Sequence, residues 1–176
     1  KQNVCSIPVI CVGNITLGGA GKTPTVIEIR RLLKNHMDNI FVLTRGYKGQ
    51  KKGPLLVNIN SNANEVGDES LLHFKHGPTC VAKRKVDGAK FCEKLKSNLI
   101  IMDDGLQSVD IKKDLKILVI DGEFGFGNKK LLPSGPLREP IKSCIERADI
   151  IVVIDPIKNL KQLNEVPKQK LFVAKK

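Results

Sequence analysis

Three segments in a fixed order dominate the first 35 residues: a strand apolar almost throughout, a glycine loop and a helix. The strand runs from Ile7 to Asn14 (IPVICVGN), and the loop is Leu17-Gly18-Gly19-Ala20-Gly21-Lys22-Thr23. The helix continues from Thr23 to Asn35, with Val26, Ile29 and Leu33 on one face. A strand that does not alternate with polar residues needs cover on both sides, which places it inside a parallel sheet. The rhythm then repeats. Strands are expected at Asn39–Gly46, Pro78–Lys83, Asn98–Gly105, Leu115–Gly122 and Ala148–Asp155, and helices at Asp68–His76 and Arg84–Ser97. The fold class that follows is α/β, of P-loop NTPase type, with a mostly parallel sheet and helices on both faces. Residues 1–176 read as one domain, and the basic, weakly patterned tail from Lys158 onward reads as its boundary. The chain opens on Lys1 rather than Met and is read as a fragment.

In an open α/β sheet, ligands bind beyond the carboxyl ends of the strands, and the glycine loop lies there. Glycines let consecutive N–H groups turn toward phosphate oxygens, and the following helix adds its partial positive charge. Lys22 would reach the β- and γ-phosphates, and the Thr23 hydroxyl would bind Mg²⁺. Pro24 fits the first helical turn, where no N–H is needed. Thr16 stands where the general pattern has a leading glycine. That changes how the chain leaves the strand, not what the last six residues present to phosphate.

A nucleotide loop of this kind needs a carboxylate for the metal, and Asp103 and Asp104 supply two at the end of an apolar strand. Asp121 and Asp155 end two other strands and read mainly as structural. Asp68, in Val66-Gly67-Asp68-Glu69-Ser70, is either the N-cap of its helix or a site carboxylate. The stretch from Phe126 to Pro140 is long and rich in Gly and Pro, which favours a functional loop, with Arg138 a candidate for gripping phosphate.

The formal charge of +12 suits an anionic partner: a phosphorylated substrate, an anionic membrane face or nucleic acid. One Tyr, six Phe and no Trp leave no stacking platform for single strands, so nucleic acid is not expected. The five cysteines form no CxxC pair, which argues for a reducing compartment and against a zinc site. His36, His73 and His76 read as surface residues; the His73-x-x-His76 pair lacks accompanying ligands. No apolar run approaches the roughly 20 residues a membrane span requires.

Taken together, PVICVGNITLGGAGKTP, LTRGYKG, VGDES, VAKRK, IIMDDGLQ and FGNKKLLPSGPLREP, in this order from Pro8 to about Asp155, resemble the tetraacyldisaccharide 4'-kinase (lipid A 4'-kinase) family. The resemblance implies a membrane-associated transferase at the cytoplasmic face of the bacterial inner membrane. It would move the γ-phosphoryl of ATP to the 4'-hydroxyl of a tetraacylated glucosamine disaccharide 1-phosphate, giving lipid IVA. Carried over by position, Thr16, Leu17, Gly18, Gly19, Ala20, Gly21, Lys22 and Thr23 would bind ATP and Mg²⁺. Asp68 would be the catalytic base. Glu69, Asp103 and Asp104 would join Thr23 at the metal, and Gln107 and Arg138 would serve the phosphates or the lipid disaccharide. Thr16 is the expected residue in that family's loop. Two features depart from the pattern. Ser108 stands where the family commonly has His, and the family's amino-terminal membrane helix and carboxyl-terminal part find no match in these residues. A non-catalytic nucleotide-binding module is the alternative reading. A GTPase would need Asn-Lys-x-Asp, and Asn128-Lys129-Lys130-Leu131 lacks the acid. A nucleic-acid-binding ATPase has only the charge in its favour.

Overall fold

The computed structural model describes residues 2–158, 163–164 and 166–175. Eight strands form one sheet. They are β1 (Val9–Gly13), β2 (Ile40–Thr44), β3 (Leu55–Leu56), β4 (Thr79–Val81), β5 (Leu99–Asp103), β6 (Leu115–Asp121), β7 (Ile150–Ile154) and β8 (Leu171–Ala174). Their order is β3-β4-β2-β5-β1-β6-β7-β8. Every pairing is parallel except that of β3 with β4. The α-helices with described bounds are α1 (Lys22–Leu33), α2 (Ala63–Val66), α3 (Asp68–Phe74), α4 (Lys85–Lys94) and α5 (Ile141–Arg147).

Because side chains alternate along a strand, the apolar strands build two cores at once. Val9, Cys11, Leu43, Ile100, Met102, Leu118 and Ile120 face one side, where Ala89 and Cys92 of α4 and Cys144 and Ile145 of α5 cover them. Val12, Val42, Ile101, Ile117 and Val119 face the other, against Val26, Ile29 and Leu33 of α1. Helices therefore lie on both faces, as the apolar runs require. A smaller cluster of Val57, Val66 and Val81 seats α3 through Leu71 and Phe74. Gly88 lets α4 lie directly on β2, since a Cβ there would sit 2.5 Å from Leu43 Cδ1.

The tail departs from expectation. Leu171–Ala174 is not outside the fold but adds β8, parallel to β7, with Ile151 opposite Leu171 and Ile154 opposite Ala174. A run of four residues gives periodicity too little to work with. As an edge strand, β8 leaves Phe172 and Val173 more than half exposed, which hides its membership further. The two-residue β3 is likewise buried in a polar stretch that reads as loop.

Candidate active site

The central strand β1 delivers the chain to the carboxyl edge of the sheet, and the glycine loop turns there into α1. Gly18 (φ 104°) and Gly21 (φ 85°) adopt the left-handed backbone that lets the loop curl. Among the described residues, the backbone N–H groups of Gly18 to Thr23 donate to no protein acceptor. Six consecutive free amides at a helix N-terminus form a cradle for an anion. Asn14, fully buried, shapes the loop from below. Its Nδ2 donates to the carbonyls of Thr16 at 2.7 Å and Gly18 at 3.3 Å. Its Oδ1 accepts from Lys22 Nζ at 2.9 Å. The segment before Pro140 braces the other side: Leu17 N–H donates to Pro136 O, and Arg138 N–H to Ile15 O. A cleft of about 200 Å³ opens beside the loop, lined by Thr16 to Ala20, Asp121 and Phe124.

β5 is the direct neighbour of β1, and Asp103 pairs in register with Val12. Its carboxylate is thereby set against the start of α1, with Thr23 Oγ1 3.5 Å from Asp103 Oδ2. Asp103 is 2% exposed, and its Oδ1 is buried without a partner. Asp104 adopts φ 54° and points elsewhere. Arg138 Nη1 donates to both of its oxygens, at 2.9 and 3.1 Å, and Lys22 Nζ lies 3.9 Å away. Lys22, Asp104 and Arg138 thus form a chain of alternating charge along the rim of the loop. Gln107 lies behind it, with Nε2 donating to Asn14 O at 2.9 Å and Glu139 Oε1 at 3.0 Å. Glu139 in turn holds Arg147.

The third wall is α3. Gly67 (φ 82°) precedes it, because a Cβ there would lie 2.2 Å from Tyr47 O. Asp68 is the first residue of the helix, not its N-cap, and its side chain makes no capping bond. A carboxylate in a first helical turn is favoured by the helix dipole. Asp68 is exposed and, among the described residues, its side chain carries no hydrogen bond or ion pair. Glu69 is exposed as a residue, yet protein crowds its carboxyl. That desolvation, followed by the charge of Asp103, pushes its pKa above the usual carboxylate range, with Lys22 and His73 pulling the other way. Its electrostatic partners are thus the loop lysine and both strand-end aspartates. His73, one turn further on, corrects the expectation of surface histidines. It is fully buried, with Nε2 2.7 Å from Asp103 Oδ2. Four residues after Glu69 it shares the inward face of α3, whereas His76 and His36 are exposed.

The structure therefore brings together Lys22, Thr23, Asp103, Asp104, Glu69 and Arg138 around the loop. Gln107 lies one layer back, and Asp121 and Asp155 accept backbone N–H bonds in their own turns. Asn14 and His73 were not legible as site residues. Asn14 shared the motif without a chemical signature, and His73 carried only its spacing from Glu69. Lys85 was missed as well. It is buried below Asp103, with Nζ donating to Leu43 O at 3.1 Å and Asp103 O at 3.0 Å, and burial lowers its pKa. Among the described residues, no three of His, Cys, Asp and Glu converge on a metal position. The donors that would fit Mg²⁺ are the Thr23 hydroxyl and the carboxylate of Asp103 beside it, two hard oxygen donors, with Oδ1 of that carboxylate left without a protein partner.

A crystal structure of LpxK from Aquifex aeolicus in complex with ATP superposes with a TM-score of 0.78 and 37% identity, covering 87% of this chain and 50% of that one. Tetraacyldisaccharide 4'-kinase from Dinoroseobacter shibae is 46% identical over 151 residues, 85% of this chain and 45% of the relative. The enzyme of that name from Paramagnetospirillum magneticum is 47% identical over 151 residues, 85% of this chain and 46% of the relative. The chain spans about half the length of the curated relatives it matches. The sequence profile of tetraacyldisaccharide-1-P 4'-kinase matches residues 1–175, and the chain belongs to that family.

Proposed function

We propose that this chain is the nucleotide-binding kinase domain of an enzyme that transfers the γ-phosphoryl of ATP to the 4'-hydroxyl of tetraacyldisaccharide 1-phosphate. The observation that carries the reading is the pairing of six free loop amides with the buried, half-unpartnered carboxylate of Asp103 beside Thr23. Phosphoryl transfer needs little covalent chemistry from the protein; it needs positioning and charge stabilisation. The amides of Gly18 to Thr23 hold the phosphate chain, with Thr16 and Leu17 shaping the approach. Lys22 exchanges Asn14 and Asp104 for phosphate oxygens, and Arg138 stands within one carboxylate of the same position. Thr23 and Asp103 are the residues that would hold Mg²⁺, with Glu69 and Asp104 at its margin; the ion would supply positive charge against the phosphates. Asp68, exposed at the start of α3, accepts the proton of the attacking hydroxyl. Gln107 keeps the base of the loop in register.

No helix among the described residues is long and apolar enough to cross a membrane. We place the domain against the cytoplasmic face of the bacterial inner membrane through its surplus of 12 positive charges, which suits anionic headgroups and a phosphorylated lipid acceptor. The test is single-turnover transfer of labelled phosphate from ATP to the lipid disaccharide by the full-length protein that contains this chain. Product labelled at the 4'-position is expected, and Asp68→Asn should slow its formation by about 100-fold or more while nucleotide affinity holds. Undiminished turnover in Asp68→Asn would remove the base assignment, and absence of transfer in the wild type would remove the activity.

A further inference from the structure

The carboxylate of Asp103 is engaged on one side only. Oδ2 meets His73 Nε2 at 2.7 Å and Thr23 Oγ1 at 3.5 Å, whereas Oδ1 is buried and unpartnered. A carboxylate on a short side chain can turn about χ2, and water-excluded surroundings would favour whichever rotation satisfies most lone pairs. Something must stop it from turning. The His73 ring does so from a separate element: it is fully buried, and α3 is anchored at the same residue, since Arg30 Nη1 donates to the His73 carbonyl at 3.3 Å. The ring and the carboxylate are therefore fixed by different parts of the chain, α3 and β5.

The other ring nitrogen settles the direction of the bond. His73 Nδ1 is buried with no partner. With the proton on Nε2, the ring donates to Asp103 Oδ2 and leaves only a lone pair unsatisfied at Nδ1. With the proton on Nδ1, a buried N–H would be stranded and two lone pairs would face each other across 2.7 Å. The first arrangement is the stable one. It matches the way outer hydrogen-bond partners orient metal-binding groups in general: the partner holds the ligating group at one rotation.

We propose that His73 is a positioning residue for the metal site: its Nε2–H pins Oδ2 of Asp103 and so fixes the rotation of the carboxylate beside Thr23, where it would meet the Mg²⁺ of the bound nucleotide. The inference rests on the Mg–ATP reading above. Its consequence is selective. Loss of the ring N–H loosens the metal's protein ligand but leaves the amide cradle and Lys22 untouched, so binding of nucleotide without metal is preserved. Removal of an outer-shell partner of this kind weakens metal affinity by about 10- to 100-fold.

The test is calorimetric titration of ADP and a non-hydrolysable ATP analogue, with and without MgCl₂, into the wild-type chain, His73→Leu and His73→Gln. His73→Leu fills the space without a donor, and His73→Gln returns an N–H at the same distance along the side chain. The expected result is a roughly tenfold or greater loss of the Mg²⁺ enhancement in His73→Leu, with metal-free affinity within about twofold of wild type, and substantial recovery in His73→Gln. Equal Mg²⁺ enhancement in all three overturns the inference alone, as does a His73→Gln variant as impaired as His73→Leu. Failure of the wild type to bind any nucleotide overturns the underlying reading and this inference with it. A second measurement needs no variant: a long-range ¹H–¹⁵N spectrum of the wild-type imidazoles. A slowly exchanging His73 Nε2–H supports the assignment, and an Nδ1–H tautomer overturns it even if His73→Leu fails to fold.

Discussion

Replacing Asn14 with Asp changes one NH₂ to an oxygen and nothing else in shape, yet it should be among the more damaging substitutions near the loop. Asn14 Nδ2 now donates to Thr16 O at 2.7 Å and Gly18 O at 3.3 Å from a fully buried position. In Asn14→Asp the new oxygen faces both carbonyls with no proton between them. Two buried or half-buried acceptors left without donors cost about 1–3 kcal/mol each. Against that, the Lys22 bond at 2.9 Å becomes an ion pair, which offsets about 1–2 kcal/mol at a partly buried site. At the midpoints, about 4 kcal/mol lost against about 1.5 returned, the net expectation is a loss of about 2.5 kcal/mol. At about 2–4 °C per kcal/mol for a chain of this size, the melting temperature should fall by roughly 5–10 °C. Asn14→Ala loses the same donors but creates no repulsion and leaves room for a water, so it should fall between wild type and Asn14→Asp. Thermal and urea denaturation followed by circular dichroism would rank the three. If Asn14→Asp matched wild type, or exceeded Asn14→Ala, the amide could not be the donor to the loop, and the claim that it shapes the phosphate cradle would fail.

Two further outcomes follow from buried groups. Arg30 is 4% exposed, has no acid beside it among the described residues, and donates to the carbonyls of His73, Ile40 and Pro78; burial lowers its pKa to about 10. Arg30→Met should lose about 2–4 kcal/mol in urea unfolding, because three carbonyls lose their donor while relief from burying a cation returns only part; a loss below about 1 kcal/mol would mean that water replaces the guanidinium. The Cys11 thiol, fully buried, is pushed up to about 11 by desolvation. The unfolded thiol ionises first as pH rises, so the native state holds more protons and stability falls from near pH 8.5 up to about 11. Cys11→Ala should remove this part of the alkaline slope, on the order of 2–3 kcal/mol, in denaturation curves at pH 8 and pH 11. An unchanged slope would refute it.

The sequence announced some parts of this site far more clearly than others, for identifiable reasons. Gly18, Gly21, Lys22 and Thr23 were legible because a backbone that must curl, a helix that must start and a charge that must follow leave few residue choices. Asp103 was legible because an acid at the end of an otherwise apolar strand is conspicuous. Its separation from Asp104 was not, since that depends on the left-handed backbone of Asp104 and on Arg138 arriving from 34 residues away. His73 lay on a seven-residue helix too short for periodicity to tell its faces apart, and only the packing of α3 on Val57, Val66 and Val81 turns it inward. The glycine before Asp68 took the cap position, which moved Asp68 into the first turn. The tail was misread because an edge strand of four residues, half exposed, carries no pattern that distinguishes it from a basic linker.

The central claim is that the amides around Lys22, together with Thr23 and Asp103, hold a magnesium-bound nucleotide. Titration of ATP into this chain in magnesium buffer, alongside Lys22→Met, tests it most directly. One saturable site is predicted, weakened at least tenfold, or about 1.4 kcal/mol, in Lys22→Met. No saturable uptake, or uptake indifferent to Lys22→Met, would contradict the account.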